Sequence, residues 1–247
     1  MRTEDISLTV IGSGDAFNSG GRRQTCFHVT TKSLNFLIDC GVNTLQGLKS
    51  NKLSVNDIDL IFISHLHGDH FGGLPFLLLE AAVYQRTTPI SIIAPEGCKK
   101  KLEKLAKLLY PGTEFLSKLD LQFHVYSDDA PFMVKGLEVT AMRVVHKAES
   151  LPHGLRIALG DRVIAYSGDT EWTPTLISLA KDTNLFICEC NFYEKKIPGH
   201  MSYQVLLEHV SELSCKRMLL THFDNEMLER LDLLAIEYAY DGLQVVV

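Results

Sequence analysis

The segment His65-Leu-His67-Gly-Asp69-His70 concentrates three imidazoles and a carboxylate in one short stretch. Imidazole nitrogens with a carboxylate suit zinc or a similar borderline metal. The loop offers more donors than one ion comfortably uses, which predicts a pair of ions and, from paired ions, hydrolysis. Three further donors share a signature, each lying just past an apolar run. His146 ends Thr140-Ala-Met-Arg-Val-Val145, Asp169 follows Val163-Ile-Ala-Tyr-Ser-Gly168, and His222 follows Met218-Leu-Leu-Thr221. Taken singly, each reads as a capping or strand-edge residue. Taken with the His loop, they complete seven donors for two ions that share a bridging group.

Donors gathered from distant segments need strands that end in one place. The run Leu60-Ile-Phe-Ile-Ser64 reads as a buried strand that delivers the His loop, and Gly72-Gly73 then lets the chain turn before a helix from Pro75 to about Tyr84. Upstream, strand Ile6–Ile11 and a Gly-rich loop, Gly12–Arg23, precede a strand pair, Thr25–Thr30 and Leu34–Asp39, and a short helix over Thr44–Ser50. Strand Ile90–Ala94 and helix Gly97–Tyr110 follow, the latter stopped by Pro111-Gly112. The middle holds strand-like runs at Leu121–Tyr126, Leu137–Val145, Leu155–Leu159 and Val163–Tyr166. The last third alternates: helix Thr173–Ala180, strand Leu185–Glu189, helix Ser202–Leu213, strand Met218–Thr221, helix Glu226–Glu237 and strand Leu243–Val247. Strands in both halves with helices interleaved predict two sheets back to back with helices outside.

The 247 residues suffice for one large domain, read here as a single unit over 1–247, and 46% hydrophobic with 22% charged residues is ordinary for a soluble globular chain. A net charge of −6 gives no broad basic surface, so tight binding to long nucleic acid is not expected. The opening Met1–Ile6 has no apolar leader, and no apolar stretch is long enough to span a bilayer, so no membrane association is expected. Cys26, Cys40, Cys98, Cys188, Cys190 and Cys215 are scattered without zinc-knuckle spacing and read as reduced thiols in a cytoplasmic protein.

The order His65-x-His67-x-Asp69-His70, His146, Ser167-Gly-Asp169-Thr and Thr221-His222 resembles the ligand set of the metallo-β-lactamase-fold hydrolases, with Gly12-Ser-Gly14-Asp and Ile38-Asp39-Cys-Gly41 in the same pattern. The resemblance implies an α+β fold, a four-layer αββα sandwich with two metals, zinc first and manganese or iron as alternatives, between the sheets at one end. It implies that His65, His67 and His146 hold one ion, that Asp69, His70 and His222 hold the other, that Asp169 bridges, and that Asp39 orients a ligand histidine. True β-lactamases of this kind carry Cys at the bridging position; a bridging carboxylate suits phosphodiesters better. The chain looks most like the ribonuclease Z branch and its phosphodiesterase relatives, through Cys188-Glu189-Cys-Asn191, Gly199-His200-Met-Ser202 and Leu220-Thr-His222-Phe. It departs from that branch in Cys188, where a His is usual, in Asp224-Asn-Glu after His222, and in having no room between His146 and Asp169 for the arm that clamps transfer RNA. Those departures disfavour tRNA 3′ processing and favour a small phosphodiester or nucleotide. Relatives of the ribonuclease type are often dimers, which makes a homodimer an expectation.

The resemblance further implies that a hydroxide bridging the metals attacks phosphorus, with Asp69 orienting it or accepting its proton. His200 then protonates the leaving alkoxide or stabilises the transition-state charge, and Glu189 orients His200. The other reading in view is a thioester or lactone hydrolase of glyoxalase II type, which uses the same metals. Other signals read as structural. Lys99–Leu109 is an amphipathic helix with a solvated lysine face. His28, His124 and His209 belong to strand or helix patterns, His153 is a weak substrate contact, and Trp172 either packs against the Asp169 loop or stacks on substrate.

Overall fold

The computed structural model describes residues 6–247; Met1–Asp5, read above for the absence of a leader, lie outside the described residues. The apolar run of the first half forms β1 (Ser7–Gly12), β2 (Cys26–Thr30), β3 (Asn35–Ile38), β4 (Leu60–Phe62), β5 (Ile90–Ala94) and β6 (Leu121–Val125). β7 (Phe132–Val134), β8 (Leu137–Arg143), β9 (His153–Leu159), β10 (Arg162–Tyr166), β11 (Leu185–Glu189) and β12 (Met218–Thr221) build a second sheet, and β13 (Gln244–Val246) returns to the first. The strand orders are β13-β1-β2-β3-β4-β5-β6 and β12-β11-β10-β9-β8-β7.

β3 through β6 run parallel, as do β10 through β12. Parallel neighbours need crossovers, and helices make them: α1 (Thr44–Ser50) after β3, α3 (Leu74–Val83) after β4, α4 (Cys98–Leu109) after β5, α5 (Thr175–Ala180) after β10 and α6 (Tyr203–His209) after β11. Two one-turn helices, α2 (Gly68–Phe71) and α7 (Asn225–Leu228), lie beside the donor loops. Three apolar interfaces result. Val10, Phe27, Ile38 and Phe62 meet Val139, Ile157, Tyr166 and Ile187 between the sheets. Leu48, Leu77 and Leu102 cover the outer face of the first sheet, and Leu176 and Leu206 that of the second. These are the four layers of an αββα sandwich, and they bring the carboxyl ends of both parallel sets to one edge, where sites form in such sheets.

One expectation is corrected. A continuous helix over 226–237 does not form: α7 ends at Leu228, a 3₁₀ turn spans Leu231–Leu233, and the chain then extends. There the Leu220 N–H donates to the Glu237 carbonyl and the Ala239 N–H to the Leu220 carbonyl, so pairing beside β12 replaces the helical ladder and buries Ala239. β7 lies where the sequence predicts no element; its three residues pair with β8 at a sheet edge, too short a run to show a period. The helix carrying Lys99, Lys100, Lys101, Lys104 and Lys107 buries Cys98, Leu102 and Ala106, as its spacing requires. No helix among the described residues is long and apolar enough to cross a membrane.

Candidate metal centre

β4 ends at Phe62, and Ile63-Ser64 leads into the His loop; α2 begins at Gly68, so that Asp69 and His70 project from one helical turn. Asp39, at the end of β3, holds this loop. Its Oδ1 accepts from the Ser64 N–H (2.7 Å), and its Oδ2 from the Ser64 hydroxyl (2.8 Å) and His70 Nδ1 (2.6 Å). From the second sheet, His146 follows β8, Asp169 follows β10 and His222 follows β12. His222 has φ +68° and Asp39 φ +60°. Left-handed backbone at non-glycine residues costs about 1–3 kcal/mol each and survives where surrounding structure enforces it. At His222 the enforcement is visible: its N–H donates to the Ser13 carbonyl, and its own carbonyl accepts from Asn191 Nδ2 at 2.6 Å.

The seven donors fall into two sets. His65 Nε2 lies 3.2 Å from His67 Nδ1, which lies 3.0 Å from His146 Nε2. In the other set His70 Nε2 is 3.1 Å from Asp69 Oδ2 and 3.2 Å from Asp169 Oδ1, and His222 Nε2 is 3.2 Å from Asp69 Oδ2. Asp169 stands between them, its Oδ2 3.5 Å from His222 Nε2 and 3.8 Å from His65 Nε2. Ligands about 2.0–2.2 Å from a tetrahedral ion sit roughly 3.3–3.6 Å apart, so both sets have close to the right spacing. The polar bookkeeping agrees. His146 Nδ1 donates to the Gly199 carbonyl at 2.7 Å, which leaves its Nε2 a lone pair aimed at His67. His70 Nε2 and Asp169 Oδ1 are buried without a hydrogen-bond partner. A cation in each set would satisfy these atoms, so the residues fit two.

Electrostatics divides the sets. Burial pulls the pKa of His65, His67 and His146 down, favouring the neutral imidazole that binds metal. Burial also opposes charge on His70 and His222, but the surrounding Asp169 and Asp69 outweigh it, lifting His70 well above its ordinary range and His222 to about 9. Burial raises Asp69 and Asp169, yet their histidine neighbours win and hold both carboxyls far below the usual range. The carboxylate-rich set therefore draws positive charge, and a divalent ion entering it would displace protons.

Beside both sets stands His200, its ring centroid 4.7 Å from His146 and 5.8 Å from His222. Its Nδ1 meets Glu189 Oε1 at 2.9 Å, and Nε2 has no protein partner among the described residues. Glu189, fully buried, also accepts from the Thr170 N–H (2.8 Å) and the Asn191 N–H (3.1 Å), so one carboxylate ties the loop after β10 to both ends of the connection after β11. The nearby Glu189 carboxylate lifts the His200 pKa against the opposing pull of burial.

These groups floor a cavity of about 430 Å³ whose walls include Ala16, Phe17, Phe192, Ile197 and Lys147. Sequence reading missed Phe17, which is 88% exposed at the cavity mouth. It is held there: Asp15 Oδ1 accepts from the Phe17 and Ser19 N–H groups, and Gln24 Nε2 donates to the Ala16 carbonyl. An aromatic residue inside a Gly-rich polar loop was the available signal. A larger groove of about 600 Å³ beside α4 and β6 lies away from every donor. Of the other histidines, His28 is buried and pushed down to about 4, chiefly by burial, and His153 is buried against Asp128 (3.0 Å) and does not line the cavity. Trp172 stacks on His209, centroids 4.0 Å apart. Asp224, which departs from the ribonuclease pattern, caps α7 by accepting from the Met227 N–H.

Two mixed sheets between helix layers, with paired His/Asp donor sets at the strand ends, define the metallo-β-lactamase fold. The chain is similar to the metallo-β-lactamase fold protein YhfI of Bacillus subtilis, with a TM-score of 0.81 and 20% identity over 99% of this chain and 100% of that one. It is similar to human tRNase Z, short form, with a TM-score of 0.78 and 24% identity over 97% and 98% of the two chains. It is 24% identical to the ribonuclease Z of Lachnoclostridium phytofermentans over 270 residues, or 88% of this chain and 87% of that protein. Within this class the chain belongs to the family described as Anti-Pycsar protein Apyc1, whose pattern matches residues 6–234.

Proposed function

We propose that the chain is a dinuclear metal-dependent phosphodiesterase acting on a small phosphodiester or nucleotide. The observation that carries this reading is the pair of donor sets joined by Asp169, with the His200–Glu189 pair beside them. In it, His65, His67 and His146 would hold a first cation and Asp69, His70 and His222 a second, with Asp169, which faces both sets, serving the two. Two such ions, zinc by the donor chemistry with manganese or iron as alternatives, would polarise the phosphoryl oxygens and acidify a water between them toward pKa ~7. Asp69 would orient that water or accept its proton. His200, protonated and held by Glu189, gives a proton through Nε2 to the leaving alkoxide. Asp39 fixes the His70 ring so that Nε2 faces the centre.

Several features support a small substrate. The cavity is of the size that takes one small molecule. The segment from His146 to Asp169 folds into the β9–β10 hairpin with turn Gly160-Asp161, and the net charge is −6. Apolar walls at Phe17, Phe192 and Ile197 fit a flat ring attached near the phosphodiester. The same reading takes 1–247 as one domain, since both sheets contribute donors. It places the protein in the cytoplasm, where its six free cysteines stay reduced, as a homodimer.

The test is turnover by the zinc-, manganese- and iron-loaded protein of bis-p-nitrophenyl phosphate, cyclic nucleotides, a thioester and a lactone. Phosphodiester turnover should lead by at least ~10-fold; hydrolysis of the thioester or lactone alone would replace this reading with a glyoxalase II-like one. Phe17→Ala should leave thermal stability unchanged, because the ring is exposed. It should raise KM roughly 10-fold for a nucleotide, the scale of one lost base–aromatic stack. An equal rise for a ring-free phosphodiester would remove Phe17 from substrate recognition.

A further inference from the structure

We infer that Glu171 is a positioning residue that couples the loop carrying His200 to the first cation's ligand His146, making loop closure and binding of that cation one equilibrium. The inference rests on the proposed assignment of His65, His67 and His146 to one ion. Between β11 and α6 the chain leaves the body at Tyr193; residues 194–198 are exposed, and it returns at the buried Gly199. The return point is gripped from two sides. Glu171 Oε2 accepts from the Gly199 N–H at 2.8 Å, and the Gly199 carbonyl accepts from His146 Nδ1 at 2.7 Å. Glu171 is itself tied to the His146 strand end, since its N–H donates to the Val145 carbonyl at 3.0 Å and the Val145 N–H donates to Thr170 Oγ1 at 3.0 Å. Gly199 admits no substitute: its φ is +86°, and a Cβ there would stand 2.8 Å from His146 Nδ1.

The arrangement sends one physical effect in both directions. With Glu171 holding Gly199, the Gly199 carbonyl is fixed where it orients the His146 ring, so Nε2 is presented to His65 and His67 without a search. With a cation on Nε2, the Nδ1–H becomes a stronger donor and grips the same carbonyl, which holds the next residue, His200, against Glu189. Coupling of this kind is reciprocal by thermodynamic necessity. Nothing in the proposed chemistry uses the Glu171 carboxylate itself, yet it is the anchor from which the loop hangs.

The experiment is zinc titration by calorimetry with metal analysis, alongside amide hydrogen exchange of residues 194–200 with and without zinc. E171A is expected to keep its melting temperature within a few degrees. It should bind one of two zinc ions several-fold to about 10-fold more weakly, no more than the low end of the cost of removing a metal ligand's direct hydrogen-bond partner, because Glu171 acts through Gly199, and lose the zinc-dependent protection of 194–200. E171Q keeps an acceptor at the same reach and is expected to restore both. Two zinc ions bound at unaltered affinity by E171A, or loop protection unchanged, would overturn the inference, as would E171Q behaving like E171A. An unaltered chain that binds fewer than two zinc ions would overturn the ligand assignment as well. Neither readout depends on turnover, so failure of the phosphodiester assays would leave this result standing.

Discussion

Asp169→Ala is expected to lower phosphodiester turnover by ~10³-fold or more and to drop bound zinc from two ions to one or none. Loss of a two-ion clamp forfeits several kcal/mol of transition-state stabilisation, and each 1.4 kcal/mol is about tenfold in rate. Asp169 is singled out because its two oxygens face different donors: Oδ1 toward His70, and Oδ2 toward both His222 and His65. Among the described residues no other carboxylate lies within 4 Å of donors in both sets, so removing it should unload more than any single histidine variant. Metal analysis of the purified variant, with circular dichroism to confirm the fold, is the check. Two tightly held zinc ions in Asp169→Ala would refute the bridging role.

His200→Ala should separate chemistry from metal binding. Zinc content is expected to stay at two ions while kcat falls ~10²-fold, the contribution of a positioned general acid. The size should depend on the leaving group. A sugar alkoxide needs a proton as the P–O bond breaks, whereas p-nitrophenolate leaves unaided, so the loss should be large on a nucleotide and small on bis-p-nitrophenyl phosphate. A role in charge stabilisation alone would cost both substrates equally. An undiminished rate on both would make His200 a bystander, and its 2.9 Å contact with Glu189 a structural brace.

The donors were legible because strands write a plain signal. His146, Asp169 and His222 each follow an apolar run; Asp169 and His222 end buried parallel strands, whereas His146 follows the antiparallel β8, whose Glu138, Thr140 and Arg143 make its signal weaker. The spacing of His65, His67, Asp69 and His70 put them in one loop, though not the helical turn that splits them between two sets. The 226–237 segment misled because its leucines and acidic residues favour a helix locally, whereas edge pairing beside β12 is a long-range gain invisible to local pattern. Phe17 and Glu171 escaped for a related reason. Each acts through a contact set by loop geometry, Phe17 through the Asp15 turn and Glu171 through the Gly199 amide, and neither sits at a period or next to a run.

The donor sets draw on both halves of the polypeptide: one loop from the first sheet, and three strand ends from the second. The facing surfaces of the two sheets meet largely through apolar side chains, which have little directional preference, while β13 and Asp241 tie the end of the chain to β1 and its following loop by hydrogen bonds. Ions seated there would act as rivets, fixing the relative register of the sheets as well as the reacting groups. Tightening of the whole sandwich and readiness for turnover would then arrive together, and a metal-starved molecule would be slack in the very place where alignment matters most.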